Sequence, residues 1–338
     1  MRHVELDVSW IAAVTGAGSA RRGARVQSLW SGYGELFRVE LRGADVPSVV
    51  VKWVKPPAVP GSRPDVSHAR KLRSYEVETN FYRTFAGRCD EGCRVPRLLG
   101  ARVGDGERLL VLEDLDAAGF MGRRRRASNA ELDVCLRWLA RFHARFLGVA
   151  PAGLWRTGTY WHLATRPDEL EAIEDEALRA AAPLLDWKLR GGRFHTLVHG
   201  DAKLANFCFA PRGQEVAAVD FQYVGGGCGM KDVAYLLHGE GDETHHLDVY
   251  FRALRDALTE RPSGHGDTTD GDALEREWRD LYPLACVDFF RFLAGWAKEH
   301  WRSDTRAHQR TRDVLRQLQD AQNAEGREND PVPLPGDD

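Results

Sequence analysis

Residues 199–206 read His-Gly-Asp-Ala-Lys-Leu-Ala-Asn, and Asp220-Phe221-Gln222 begins fourteen residues after Asn206. No other stretch restricts the fold as much. The chain has to bring Asp201, Lys203, Asn206 and Asp220 to one place. Val216-Ala-Ala-Val219 is short and apolar, and as a buried strand it would end by holding the Asp220 carboxylate at a cleft. Such residues suit phosphoryl transfer, which asks a protein for positioning and charge rather than covalent chemistry. It needs a base near an acceptor hydroxyl, oxygen ligands for a metal under the phosphates, and positive charge on the moving group. Asn206 and Asp220 suit Mg²⁺, which takes hard oxygen donors and usually only one or two protein carboxylates. Alone, Asp201 reads as a loop or capping residue and Asn206 as a turn residue. In register with Asp220 they favour chemistry.

Composition acts by exclusion. A net charge of −3 gives no support to nucleic-acid binding, and the Arg123–Arg126 run reads as a solvated loop or helix start. No stretch approaches the roughly 18 apolar residues of a membrane span. The opening MRHVELDVSW carries no apolar signal core. The six cysteines are too scattered for a disulfide framework, and no second pair at zinc spacing accompanies Cys89 and Cys93. Reduced thiols in a cytoplasmic, membrane-free protein are the expectation.

Periodicity divides the chain. A helix is expected over residues 8–14, then strands over 25–30, 36–41 and 48–54, the last a Val-rich run containing Lys52. Residues 55–70, rich in Pro, Gly and Ser, read as an exposed loop. A helix over 71–85 and strands over 96–103 and 108–112, joined by Gly-Asp-Gly, follow. Beyond 129 the chain is mostly helical: 132–147, 169–189, 231–237, 246–259, 274–301 and 306–322. Short strands at 196–198 and 216–219 flank the 199–206 loop, and 262–271 is rich in turn residues. After 325, Gly, Pro and acidic residues predict disorder. The fold class is α+β, with a small N-terminal antiparallel-sheet lobe over 1–113, a larger helical lobe over 114–325 and a tail over 326–338.

The loop also fits a known pattern. Protein kinases carry H-R-D-x-x-x-x-N followed by D-F-G; here Gly200 replaces the Arg, Gln222 replaces the Gly, and the Asp-to-Asn spacing is kept. HGDxxxxN with DFQ resembles the aminoglycoside phosphotransferase and choline kinase superfamily. The DFQ form and the glycine-rich turn after it look most like its ecdysteroid-kinase-like branch. The resemblance covers roughly residues 25 to 300 and is strongest over 196–237.

The resemblance implies a protein-kinase-like two-lobed fold and transfer of the ATP γ-phosphate, with Mg²⁺, to a small-molecule hydroxyl. Asp201 would be the base, Asn206 and Asp220 the metal ligands, and Asp232 a brace for the loop. Lys203 sits where many protein kinases have a phosphate-contacting Lys; solvent or a nearby carboxylate is its other reading. Lys52, costly in a buried strand unless paired, would contact phosphates and pair with a helix Glu. Glu78 is favoured because it stands four residues before Tyr82, as in ecdysteroid-kinase-like sequences; Glu76 is its rival, and Lys55 the rival of Lys52. Gly32 and Gly34 would lie in the nucleotide-covering turn, although hairpins use Gly anyway. Glu113 and Leu115 would form the adenine hinge. No Walker pattern occurs.

For the acceptor, Asp288, Arg291 and Trp296 are the expected contacts, with Tyr160 and Trp161 nearby; aromatic and acidic side chains would suit a cationic acceptor. At helical spacing the same residues also read as core. A protein kinase and a nucleotide-binding pseudokinase or regulatory module are the alternatives. The missing A-P-E segment disfavours the first, and the intact Lys52, Asp201, Asn206 and Asp220 set disfavours the second.

Overall fold

The computed structural model describes residues 6–56, 66–104, 106–261 and 270–328. Its N-terminal part is a five-stranded antiparallel sheet, order β1-β2-β3-β5-β4. The strands are β1 (Ser19–Ser28), β2 (Gly34–Arg42), β3 (Ser48–Val54), β4 (Leu98–Gly104) and β5 (Glu107–Glu113). Strand side chains alternate between faces, and β3 uses this alternation. Val49 and Val51 join Phe37, Val39, Leu109 and Val111 under helix α1 (Val8–Thr15), around the buried Ile11. Lys52, one residue out of phase, lines the cleft on the other face. Strand β1 starts at Ser19, well before the expected residue 25. It is a largely exposed edge strand of polar residues, so no apolar alternation marks its first half.

Helix α2 (Val66–Thr84) lies between β3 and β4 and begins before the expected residue 71, because its first turn is mostly exposed and carries no apolar stripe. Val77, Phe81 and Tyr82 of α2 belong to the main core, which is otherwise built by the helical part of the chain. The ring of Phe81 stacks on Phe221 at 4.0 Å. This part starts with α3 (Asn129–Phe146), opened by a Ser128–Glu131 capping box.

The helix expected over 169–189 is two helices, α4 (Pro167–Glu171) and α5 (Glu176–Gly191). Between them Ile173 is buried, and Asp175 caps α5 by accepting from the Leu178 amide. Four short strands follow: β6 (Thr196–Val198), β7 (Phe207–Phe209), β8 (Val216–Ala218) and β9 (Gly225–Gly227). β6 pairs with β9 and β7 with β8, so the loop and Asp220 hang from two small ladders. Helices α6 (Met230–Leu236), α7 (Glu243–Thr259), α8 (Gly271–Trp296), α9 (Lys298–Ser303) and α10 (Thr305–Glu328) complete the fold. The single helix expected over 274–301 breaks at Ala297, whose backbone is not helical.

All six cysteines are free thiols, and only Cys89 is not fully buried. Among the described residues no helix is long and apolar enough to cross a membrane. Most of the expected 55–70 loop, the centre of the Gly-Asp-Gly turn, most of the 262–271 loop and the end of the tail lie outside the described residues.

Candidate active site

The 199–206 loop is held by its own backbone. Asp232, in the first turn of α6, accepts from the His199 amide at 2.6 Å and the Gly200 amide at 2.9 Å. His143 Nε2 lies 3.1 Å from the same carboxylate. The His199 ring is buried, with Nε2 at 3.0 Å from the Val219 carbonyl. Gly200 has φ +80°, and a Cβ there would lie 2.1 Å from the Tyr223 carbonyl oxygen. Only glycine fits so close a backbone approach. That excludes the Arg of the protein-kinase pattern.

Asp201 is buried at the floor of a cleft of about 1330 Å³. Its Oδ2 receives Lys203 Nζ at 2.8 Å and Asn206 Nδ2 at 3.0 Å. Its Oδ1 is buried with no hydrogen-bond partner among the described residues. Burial raises the carboxyl to about 6, against the opposing pull of Lys203. Such a group is ionised at neutral pH and retains one free acceptor oxygen, as a general base requires. Lys203 is half-exposed and spends its ammonium on Asp201.

Asp220 follows β8 with φ +68° and is more open, its side chain 36% exposed. Its Oδ1 accepts from Gln222 Nε2 at 2.7 Å, with Lys52 Nζ at 3.5 Å. Burial alone would raise this carboxyl, but Lys52, Lys203 and Lys71 together hold it below the usual carboxylate range. The Asn206 amide nitrogen is committed to Asp201, which leaves its oxygen for another partner. An ionised carboxylate and an amide oxygen, both lining the cleft, are hard donors of the kind Mg²⁺ takes. The donor set fits that ion.

Lys52 Nζ meets Glu78 Oε2 at 2.6 Å, both buried. Burial would lower the ammonium, but Glu78 and then Asp220 outweigh it and raise its pKa. Glu76 instead pairs with Arg73 at 2.7 Å near the surface. Lys55 is exposed, 3.9 Å from Glu107. Gly32 ends a short 3₁₀ turn after β1, and Gly34 opens β2 opposite Val54. At φ +133°, a Cβ on Gly34 would lie 2.0 Å from the Trp53 carbonyl oxygen, so strand pairing alone demands this glycine. Glu113 pairs with Arg94 at 2.8 Å, and its amide donates to the Arg97 carbonyl. Leu115 is buried against Phe120 and Cys208. Both line the cleft.

The expected acceptor contacts divide. Trp296 is 60% exposed and lines the cleft. Asp288 and Arg291 do not reach it. Each is 1% exposed, and they pair with each other at 2.9 Å. Asp288 also receives Trp161 Nε1 at 3.1 Å and lies 3.4 Å from Lys231 Nζ. Arg291 Nη2 donates to the Trp161 carbonyl at 2.8 Å. They form a buried ion-pair network tying α6 to α8, where they were expected to meet a ligand.

Among the cleft residues that escaped the sequence reading, two stand out. Lys71 Nζ donates to Gln222 Oε1 at 3.0 Å, and Gln222 hands the contact on to Asp220. Lys71 stands seven residues before Glu78, the i, i+7 spacing that places both on one helix face. That spacing was the available signal. Arg166, the second, lies just before α4, where no periodicity points.

Residues 38–266 match the family described as "Phosphotransferase enzyme family". No curated protein matches the chain. Solved structures similar to it include a microcompartment-associated aminopropanol kinase, at 16% identity over 91% of this chain and 93% of that one, TM-score 0.46. A Plasmodium vivax ethanolamine kinase is similar at 10% identity over 88% and 82%, TM-score 0.49. An aminoglycoside phosphotransferase from Streptomyces rimosus, in complex with ADP and streptomycin, is similar at 18% identity over 82% and 97%, TM-score 0.41. The likeness in each is distant, and the family match alone carries the assignment.

Proposed function

This chain belongs to the phosphotransferase enzyme family, and from that premise we propose that it moves the γ-phosphate of ATP to a hydroxyl of a small molecule, with Asn206 and Asp220 as the residues that would hold Mg²⁺. The reading is supported most by one observation: Asp201 offers an unpartnered, buried carboxylate oxygen at the floor of the cleft. There the acceptor hydroxyl gives up its proton to Asp201 as its oxygen forms a bond to the γ-phosphorus. The bond from that phosphorus to the β,γ-bridging oxygen breaks, and ADP leaves. Lys203 and Asn206 fix the Asp201 carboxylate by holding its other oxygen. Lys52, kept charged by Glu78, supplies positive charge to the phosphates. Gln222 orients Asp220 and ties it to Lys71 on α2. When bound, Mg²⁺ would supply neutralisation of phosphate charge.

In this reading Glu113 and Leu115, which line the cleft, take the adenine end, and the turn that holds Gly32 and Gly34 covers the phosphates. We keep the ecdysteroid-kinase-like branch as the finer reading, on Asp220-Phe221-Gln222 and the glycines that follow. A cytoplasmic site of action goes with it, on the reduced thiols. A protein substrate fits less well: only Tyr223 to Gly229 separate Gln222 from α6, with β9 inside that segment, which leaves no long activation segment.

The test is Asp201→Asn. It keeps shape and removes the proton acceptor. ATP binding should persist while phosphate transfer falls by about 100-fold or more, the usual general-base effect. A variant that keeps a tenth or more of its kcat would remove Asp201 from this role.

A further inference from the structure

The acceptor half of the cleft has an uneven charge. Arg70, Lys71 and Arg166 line it, and Glu169 is the one carboxylate there besides Asp201 and Asp220 among the described residues. Glu169 is already engaged by Arg166 Nη1 at 2.8 Å. Arg70 donates to the Thr165 carbonyl at 2.7 Å and to Ser67 at 3.2 Å, both neutral. Among the described residues no carboxylate forms an ion pair with Arg70 or Lys71. Arg70 reaches the carbonyl of Thr165, the residue next to Arg166, and burial first, then the charge of Arg166, lowers the pKa of Arg70. Two partly desolvated guanidiniums, of which only Arg166 holds a carboxylate, are an arrangement an anion would complete.

The aromatic wall points the same way. Tyr160, Phe292 and Trp296 could hold a cation by their faces. That position is filled: the Arg166 guanidinium sits 5.1 Å from the Phe292 centroid and 5.8 Å from that of Tyr160. Trp296 stacks on the same Phe292 ring at 5.5 Å. A polycationic acceptor would meet two arginines and no free carboxylate outside the catalytic pair. A flat or apolar body could lie along Tyr160, Tyr223 and Trp296, with its hydroxyl toward Asp201.

We propose that the acceptor is a hydroxylated compound with an apolar or aromatic body and an anionic group, its anion bound between Arg70 and Arg166. This rests on the phosphotransferase reading above and narrows its substrate class. The transfer itself is unchanged: the acceptor hydroxyl becomes a phosphate ester and ADP is released. Lys71 adds to the field but is turned toward Gln222 and Asp220. Arg70 is therefore the residue that discriminates acceptors by charge.

The experiment uses the full chain with Mg-ATP and four probes: 3-phenyllactate, neutral 3-phenyl-1,2-propanediol, cationic phenylalaninol, and streptomycin. Phosphate transfer and the shift in melting temperature are both read. Phenyllactate should exceed phenylalaninol and streptomycin in kcat/KM by about tenfold or more, the effect of one well-placed charge contact. Arg70→Gln should erase that preference, Arg70→Lys should restore part of it, and Glu169→Gln should increase it. Better transfer to phenylalaninol or streptomycin overturns the anion site and leaves phosphotransfer standing. If no probe is phosphorylated, binding decides. Stabilisation of the wild type by phenyllactate that is lost in Arg70→Gln supports the anion site and counts against the phosphotransferase reading. No stabilisation by phenyllactate, or as much by phenylalaninol, overturns the proposal.

Discussion

Asp201, the proposed base, sits near the edge of its ionisation. Burial lifts its carboxyl to about 6, and Lys203 limits the rise. Only the ionised form accepts a proton, so kcat should hold at neutral pH and fall as pH drops through about 6. Lys203→Ala removes the charge that favours the carboxylate, and the acid limb of the profile should move to higher pH. A pH–rate series on both proteins measures this; a limb that stays in place, or moves down, means Lys203 does not tune Asp201. At this scale the sequence was most readable where one short loop carries several groups. The spacing from Asp201 to Asn206 survives any uncertainty in secondary structure, because a loop of that length leaves them little room to separate. Glu78 was favoured over Glu76 on the resemblance, by its place four residues before Tyr82, and the two differ in the structure because positions two apart on a helix point to different faces. Asp288 and Arg291 were misplaced for the opposite reason. At i, i+3 they share a face, but sequence does not tell whether that face meets a cleft or another helix.

Among the elements, α6 joins two sets of buried polar groups. Asp232 braces the catalytic loop, and its neighbour Lys231 reaches into the ion network of α8. Breaking a buried ion pair by removing one partner strands the other charge. Asp288→Asn should therefore lower unfolding stability by about 3–5 kcal/mol, measured by urea titration, with the acceptor KM of the folded fraction little changed. A near-neutral stability effect, or a rise in acceptor KM at full stability, would return Asp288 to the cleft. Elements with a plain period were legible: β3 lies over Ser48–Val54 as expected. Interruptions were not. Ile173 is buried in the gap before α5, and the backbone leaves helical values at Ala297, yet neither interruption changes the apolar period. The short β7 and β9 strands, Phe207–Phe209 and Gly225–Gly227, were also missed. Three residues carry too little pattern, and a run of glycines argues against a strand.

Over the whole molecule, the sheet contributes Lys52, α2 contributes Glu78 and Lys71, and the helical part contributes Asp201, Asn206 and Asp220. A nucleotide bound across these surfaces should stabilise the fold. At 100 times its Kd, Mg-ATP should add about 2.7 kcal/mol. In Asp220→Ala the magnesium-dependent part of that gain should vanish, as read from melting curves with ATP alone and with Mg-ATP. An undiminished magnesium effect would place the ion elsewhere. This layout was legible in outline, since strand patterns precede helical ones along the chain. The welding of α2 to the helical core through Phe81 and Phe221 was not, because a contact between residues so far apart leaves no trace in either local pattern.

The buried thiols have a practical consequence. Cys135, Cys208, Cys228 and Cys286 are all inside the part of the chain that follows β5, and none of the six lies in a strand of the five-stranded sheet. A thiol reagent in solution reaches the buried sulfurs only when the surrounding structure opens. Labelling followed by peptide mapping would therefore time the opening of the helical part separately for each site, with no engineered probe, while movements of the sheet would pass unrecorded.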